Sequence, residues 1–171
     1  MERASSYIYY RKGSPYNNLL HLIKYKNHPE VAERLAAAAA TELAEQGFFE
    51  GIDIIVPLPL SKKKLRKRGY NQCDYIARGL SRISGVPVIK KGVTRTVANE
   101  TQTHKNRDER WKNVEGIFAV TTPEALQGKH VLLVDDVMTT GATIAACAKS
   151  ITALPETRIS LFTLAYSFNE I

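Results

Sequence analysis

The sequence predicts an α/β fold, in which one sheet built mainly of parallel strands carries helices on its faces. Val131–Val134 is a continuous apolar run, Ala142–Leu154 an apolar helix, and Arg158–Ala165 a second strand. Strand, helix and strand within about 35 residues are typical of a βαβ unit with a parallel pair. The short β-branched run Ile52–Val56, bounded by glycine and proline, supplies a further buried strand.

The N-terminal quarter of the chain is predicted to be helical. Apolar side chains recur at helical spacing from Tyr16 to Ile23. Pro29 suits the first turn of a second helix, whose Ala36–Ala40 run has strong helix propensity. We therefore expect about residues 1–48 to form a helical extension packed on a single domain that spans 1–171.

The middle of the chain alternates short elements with one long polar segment. A helix is predicted over Tyr70–Ile83, and short strands are predicted over Val86–Ile89 and Ile117–Val120. Pro123–Leu126 is predicted to be a turn. Residues 96–113 contain almost no apolar side chains, so they are expected to form an exposed helix or a mobile loop.

Composition excludes several classes of protein. Of the 171 residues, 44% are apolar and 24% are charged, which is typical of a globular domain and not of a disordered chain. Neither a bilayer-spanning apolar run nor a signal-peptide pattern is found, so we predict a cytoplasmic protein without membrane contact. The two cysteines, Cys73 and Cys147, are too few for a disulfide scaffold or a four-thiolate zinc site.

The net charge of +7 favours anionic partners such as nucleic acid, nucleotides or phosphorylated sugars. Six of the seven residues in the run Lys62–Arg68 are basic, and a second basic-rich stretch spans His104–Lys112. A solvated surface loop is an equally good interpretation of such a run from composition alone.

A candidate ligand site follows the strongest predicted strand, at Asp135–Thr143. Gly141 allows a tight turn, threonines supply hydroxyl groups, and the next helix presents unpaired N–H groups, which together suit a phosphate. Two carboxylates beside a phosphate are expected to face sugar hydroxyls or Mg²⁺. Neither a Walker loop nor a Rossmann fingerprint is present, and a purely structural turn would not need two aspartates.

Val131–Thr143 (VLLVDDVMTTGAT) resembles the phosphoribosyl pyrophosphate motif of type I phosphoribosyltransferases. The resemblance implies the type I phosphoribosyltransferase fold, with a parallel-based central sheet flanked by helices. It places Asp135 and Asp136 at the ribose hydroxyls and next to Mg²⁺, which they would contact through the ligand or water. It also implies a 5′-phosphate site made of Val137, Met138, Thr139, Thr140, Gly141, Ala142 and Thr143.

Two further segments resemble ComF-type competence proteins. One joins Val56–Leu60 to Leu65–Gln72, and the other runs from Arg95 to Phe118. With the Leu19–Lys26 region, the resemblance covers nearly the whole chain. ComF-type proteins commonly begin with a four-cysteine zinc module, which has no counterpart here. The sequence also departs from the family pattern at Val97, Asn99 and Lys105.

The resemblance assigns two more groups of residues. A pyrophosphate site is implied at Leu60, Ser61, Lys63, Lys64, Arg66 and Arg68. A mobile loop that closes over the site is implied in 96–113, with three basic candidates, Lys105, Arg107 and Arg110. The alternatives are contact with nucleic-acid phosphates for the first group and plain solvation for the second.

The resemblance therefore implies a Mg²⁺-dependent enzyme of nucleotide metabolism that transfers phosphoribosyl from phosphoribosyl pyrophosphate to a nitrogen acceptor. Thr139 stands where 6-oxopurine salvage enzymes have an aspartate, so hypoxanthine and guanine are disfavoured as acceptors. The alternative is a non-enzymatic factor for DNA uptake that binds single-stranded DNA and uses the ligand site for sensing. The oligomeric state is left open, a dimer included.

Overall fold

A computed structural model describes residues 1–10, 14, 16–26, 28–96 and 116–167. In chain order its elements are β1 (Ala4–Tyr10), α1 (Tyr16–Tyr25), α2 (Pro29–Glu45), β2 (Ile54–Pro57), α3 (Lys62–Arg68), α4 (Gln72–Ser84), β3 (Val93–Arg95), β4 (Phe118–Val120), α5 (Pro123–Leu126), β5 (His130–Met138), α6 (Ala142–Thr152) and β6 (Arg158–Ser167).

The main sheet has the order β1-β6-β5-β2, and all of its neighbouring strands are parallel. This confirms the predicted parallel-based α/β fold, with the βαβ unit β5–α6–β6 at its centre. Strands β3 and β4 form a separate antiparallel pair. The strand predicted over Val86–Ile89 is reduced to a single bridge between Val88 and Ile55.

The period of two along β5 divides the core between the two faces of the sheet. Leu132 and Val134 pack in the cluster that contains α2 and α4, whereas Val131 and Leu133 pack in the cluster that contains α6. Helices on both faces explain why Val131–Val134 is a continuous apolar run, because all four of these side chains are buried.

Helices α2 and α4 pack closely on one face of the sheet. Four alanines of α2 are buried in the core cluster that it shares with α4, and a Cβ at Gly79 would lie 2.3 Å from the carbonyl oxygen of Glu33. A side chain at position 79 would push the two helices apart, so the glycine is required by the packing of the backbones. This close pair supports α4, whose first turn borders the candidate site.

The prediction that residues 1–48 are helical is wrong for Ala4–Tyr10. This segment is β1, which pairs in parallel with β6, from Ala4 beside Leu161 to Tyr10 beside Ser167. The segment has little apolar alternation, and its extended form depends on hydrogen bonds to a strand more than 150 residues away.

Three other elements differ from their predictions. The basic run 62–68 is the helix α3, since the Ser61 hydroxyl accepts a hydrogen bond from the backbone N–H of Lys64 and caps its first turn. Residues 123–126 form the short helix α5 and not a turn. Strand β5 continues to Met138, so Asp135 and Asp136 belong to the strand itself.

The predicted mobile-loop residues Lys105, Arg107 and Arg110 lie outside the described residues. Among the helices that are described, not one combines the length and apolar character needed to cross a bilayer.

Candidate functional site

The candidate site lies at the carboxyl end of β5. Asp135 and Asp136 occupy the last part of this strand and are both buried, with 8% and 6% of their surface exposed. The backbone N–H of Leu58 donates to the carbonyl of Val134 at 2.8 Å, which brings the segment after β2 beside them. Two strand ends of a parallel sheet therefore meet here, as is usual for ligand sites of α/β folds.

The segment after β5 and the first turn of α6 enclose a pocket. Gly141 starts the turn into α6 with a φ of +74°, a conformation that residues with a Cβ rarely adopt. The N-terminal N–H groups of α6 and the positive end of its dipole favour an anion there. The pocket is lined by Asp135, Val137, Met138, Thr139, Thr140, Gly141, Ala142, Thr143 and Ile144.

Asp135 faces this pocket, and one of its oxygens is already engaged. Its Oδ1 accepts a hydrogen bond from the backbone N–H of Asp136 at 2.8 Å and from the Cys73 thiol at 3.6 Å. Burial, and then the neighbouring charge of Asp136, raise the pKa of Asp135 well above its usual range. Burial and the Asp135 charge likewise raise the pKa of Cys73, so this thiol is a hydrogen-bond donor and not a thiolate.

Asp136 enters a network that joins four elements. Its Oδ2 accepts a hydrogen bond from Gln72 Nε2 at 2.9 Å and forms an ion pair with Lys24 Nζ at 3.0 Å. The Oε1 of Gln72 in turn accepts a hydrogen bond from Arg68 at 2.7 Å. The ends of α1 and α3 and the start of α4 thereby converge on one carboxylate of β5.

The two carboxylates fit a divalent cation that a ligand brings with it. Among the described residues the hydrogen bonds reach Oδ1 of Asp135 and Oδ2 of Asp136, which leaves the second oxygen of each for a ligand. The described part of the chain holds no cluster of three or more histidine, cysteine, aspartate or glutamate side chains able to bind a metal. Mg²⁺ held by one or two carboxylates and by ligand phosphates matches this arrangement.

The structure brings the predicted pyrophosphate residues to the same end of the sheet. Leu60 and Ser61 precede α3, and the predicted cations Lys63, Lys64, Arg66 and Arg68 lie within this helix and not in a loop. Arg68 is linked to Asp136 through Gln72, so the C-terminal end of α3 adjoins the carboxylates of Asp135 and Asp136.

Sequence reasoning missed the roles of Lys24, Gln72 and Cys73. Lys24 belongs to an amphipathic helix far from the motif in sequence, and Cys73 reads as a small apolar residue of α4. The available signal was the resemblance of Leu19–Lys26 and Leu65–Gln72 to ComF-type proteins, which marked these segments without giving Lys24 or Gln72 a role. Their partners could not be read from local sequence.

Comparison with known proteins yields relatives linked to DNA use and competence, while no protein-family model matches the chain. The DNA utilization protein YhgH of Escherichia coli (strain K12) is 33% identical over 138 residues, which cover 79% of this chain and 60% of that protein. Competence protein ComFC of Bacillus subtilis is 38% identical over 96 residues, 56% of this chain and 37% of that protein. Competence protein F of Haemophilus influenzae is 28% identical over 155 residues, 88% of this chain and 68% of that protein.

The chain thus spans about three fifths of the length of YhgH. Among solved structures, the glutamine phosphoribosylpyrophosphate amidotransferase of B. subtilis aligns with a TM-score of 0.52 at 16% identity, over 77% of this chain and 25% of that one. A hypothetical protein of Neisseria gonorrhoeae with bound ppGpp aligns with a TM-score of 0.51 at 20% identity, over 97% and 73%. These likenesses show the type I phosphoribosyltransferase fold, and the relatives confirm the resemblance to ComF-type proteins.

Proposed function

Because the chain is a ComF-type protein with a type I phosphoribosyltransferase fold, we propose that it binds phosphoribosyl pyrophosphate with Mg²⁺ at the carboxyl end of β5. We further propose that it transfers the phosphoribosyl group to a nitrogen acceptor. One observation supports this most directly: Asp135 lines the same pocket as the loop from Val137 to Thr143 and the start of α6. A carboxylate and a phosphate cradle in one pocket match a ribose 5-phosphate, which carries hydroxyls at one end and an anion at the other.

Each part of the site has a role in this proposal. Asp135 and Asp136 would accept hydrogen bonds from the ribose 2′- and 3′-hydroxyls through their remaining oxygens. The loop amides and threonine hydroxyls from Thr139 to Thr143 would bind the 5′-phosphate. The pyrophosphate would lie toward Ser61 and α3, where Arg68 adjoins Asp136 through Gln72.

The chemistry would be displacement at the anomeric carbon, with pyrophosphate as the leaving group. Positive charge then develops on the ribose ring, next to the two buried carboxylates, while the cations of α3 neutralise the departing group. The pocket holds the ribose phosphate in one orientation, which lowers the entropic part of the barrier. Mg²⁺, when bound with the ligand, would supply Lewis-acid neutralisation of the pyrophosphate oxygens.

Titration calorimetry with phosphoribosyl pyrophosphate, with and without Mg²⁺, tests the ligand assignment. The wild type is expected to bind in the presence of Mg²⁺, and an Asp135→Asn/Asp136→Asn double variant is expected to lose most of that affinity. An Asp53→Asn variant is a suitable control, because it removes one carboxylate at the opposite end of the sheet. Equal binding by the wild type and the double variant would disprove the assignment.

A second candidate function, binding of single-stranded DNA, is favoured by the surface formed by α1 and α3. The α3 helix buries none of its residues, and Tyr25 of α1 is 56% exposed. The Arg68 guanidinium lies 5.1 Å from the centre of the Tyr25 ring, and His21 stacks at a tilt on the same ring at 5.0 Å. Exposed aromatic rings among cations are typical of surfaces that bind single strands.

Affinity for a fluorescent single-stranded oligonucleotide, measured over a range of salt concentrations, tests this second candidate. Binding should weaken steeply with salt and should fall in a Lys63→Gln/Lys64→Gln/Arg66→Gln variant. The matched control, Lys90→Gln/Lys91→Gln/Lys129→Gln, removes the same charge from other exposed positions. Equal loss in both variants would mean that net charge, and not this surface, attracts the strand.

A further inference from the structure

We infer that Lys24, on the N-terminal helix α1, is a positioning residue of the ligand site, which acts on the ligand through Asp136. The inference rests on the proposed function, since it gives Lys24 a role in binding phosphoribosyl pyrophosphate. Lys24 lies outside the motif that predicts the ligand, 112 residues before the carboxylate with which it pairs.

Lys24 and Gln72 bind the same oxygen of Asp136. Both contacts are made to Oδ2, at 3.0 Å from Lys24 and 2.9 Å from Gln72, so the other oxygen, Oδ1, is left for a ribose hydroxyl. The orientation of the Gln72 amide is determined by Arg68, which can only donate and therefore requires Oε1. Two donors on one oxygen hold the plane of the Asp136 carboxylate before any ligand arrives.

The position of Lys24 is itself supported by the core. The preceding residue, Ile23, is completely buried, and its carbonyl oxygen accepts a hydrogen bond from the Tyr70 hydroxyl at 2.5 Å. The Lys24 side chain is 22% exposed, so its ion pair with Asp136 lies largely out of solvent and is weakly screened by it. The last turn of α1 therefore holds a fixed positive charge behind Asp136.

The charge of Lys24 offsets an electrostatic conflict in the site. Two adjacent buried carboxylates repel each other, and both would repel the phosphates of the proposed ligand. Of the described residues, the loop pocket is lined by Asp135 but by neither Asp136 nor Lys24. Lys24 would thus neutralise the carboxylate pair from behind and would not contact the ligand.

A double-variant cycle on ligand affinity tests the inference. Calorimetry with phosphoribosyl pyrophosphate and Mg²⁺ is expected to show about tenfold weaker binding for Lys24→Met, as for loss of a buried bond to a charged group. The matched control Lys26→Met removes an exposed lysine two residues away and should change affinity by less than about twofold. Lys24→Arg should restore most of the affinity, and Lys24→Gln replaces Lys24→Met if the latter does not fold in a thermal scan.

The decisive comparison is made in an Asp136→Asn background. There, Lys24→Met should change affinity by less than about twofold, because the carboxylate through which it acts is gone. An effect of full size in that background would mean that Lys24 contacts the ligand, and would overturn the inference. The inference would also be overturned if the wild type bound the ligand and Lys24→Met bound it equally well. That result would leave the proposed function intact. A wild type that fails to bind would overturn both.

Discussion

The two ends of strand β5 bury polar side chains in opposite ways. At the amino end, His130 is surrounded by partners that match its hydrogen-bonding groups. Its Nδ1 donates to the Gly51 carbonyl at 3.0 Å, its Nε2 accepts from the Ser160 hydroxyl at 2.9 Å, and its backbone N–H donates to Asp53 at 2.7 Å. Since a carbonyl can only accept, the ring must carry its proton on Nδ1.

At the carboxyl end, Asp135 and Asp136 are buried side by side with the same charge. Each keeps an oxygen that the described hydrogen bonds do not use, and the pKa of Asp135 is raised by burial and by Asp136. A buried polar group that makes all of its hydrogen bonds stabilises the fold, whereas a buried pair of like charges lowers stability. The contrast supports the proposal that the first end serves the fold and the second end binds a ligand.

The largest expected effect is at the amino end. His130→Ala should lower the free energy of unfolding by about 3 kcal/mol, because it leaves a cavity and removes the partners of Gly51 and Ser160. Urea unfolding measures this, with His21→Ala as the exposed control, which should change stability by less than about 0.5 kcal/mol. The folded variant should bind phosphoribosyl pyrophosphate as the wild type does, and weakened binding would contradict the division between the two ends.

At the carboxyl end we expect a gain in stability. Asp135→Asn keeps an Oδ1 that can accept the Asp136 N–H but removes one of two like charges. The ligand-free protein should gain on the order of 1 kcal/mol at pH 8 while it loses affinity for the ligand. Thermal unfolding measures the gain. A loss of stability would show that Asp135 supports the fold, as His130 does.

The smallest expected effects concern how the stability changes caused by His130→Ala and Asp135→Asn depend on pH. A raised carboxyl pKa means that the contribution of Asp135 to stability is complete below its ordinary value of 3.8 and is lost as the pH rises through the folded value. The advantage of Asp135→Asn should therefore vanish in acid. Burial lowers the pKa of His130 below 6.5, so its contribution is present above 6.5 and is lost as the pH falls through the folded value.

Unfolding at pH 5 and pH 8 measures both differences. The gain from Asp135→Asn and the loss from His130→Ala should each be smaller at pH 5 than at pH 8, with opposite signs. A gain from Asp135→Asn that is independent of pH would rule out charge repulsion as its cause.

Much of the fold could be predicted from sequence, because β5, α6 and β6 are local patterns. The strand that begins at Val131 and the turn at Gly141 can each be recognised from residues that are adjacent in sequence. The pocket proposed to bind a phosphate is formed by the same contiguous stretch, so its position at a strand end could be predicted from sequence. By contrast, the pairing of β1 with β6 could not be predicted locally, although the run Tyr7–Tyr10 is rich in residues that favour strands.

The rest of the site could not be predicted either, because its contacts join residues that are far apart in sequence. Lys24 and Gln72 are brought to Asp136 by the packing of α1 and α4, over separations of 112 and 64 residues. The basic run of α3 was interpreted as a loop, either solvated or at the pyrophosphate, yet its Ser61 cap and its basic last turn beside the negative end of the helix dipole support a helix.

The pairing of β1 with β6 also bears on how the protein folds. The Ser6 hydroxyl shares a hydrogen bond of 2.6 Å with the Thr163 hydroxyl, although the two residues are 157 positions apart in sequence. Contacts between segments so far apart in sequence slow folding, because the loop must close before the contact forms. During synthesis β1 has no strand to pair with until β6 has emerged from the ribosome, so this edge of the sheet is completed last.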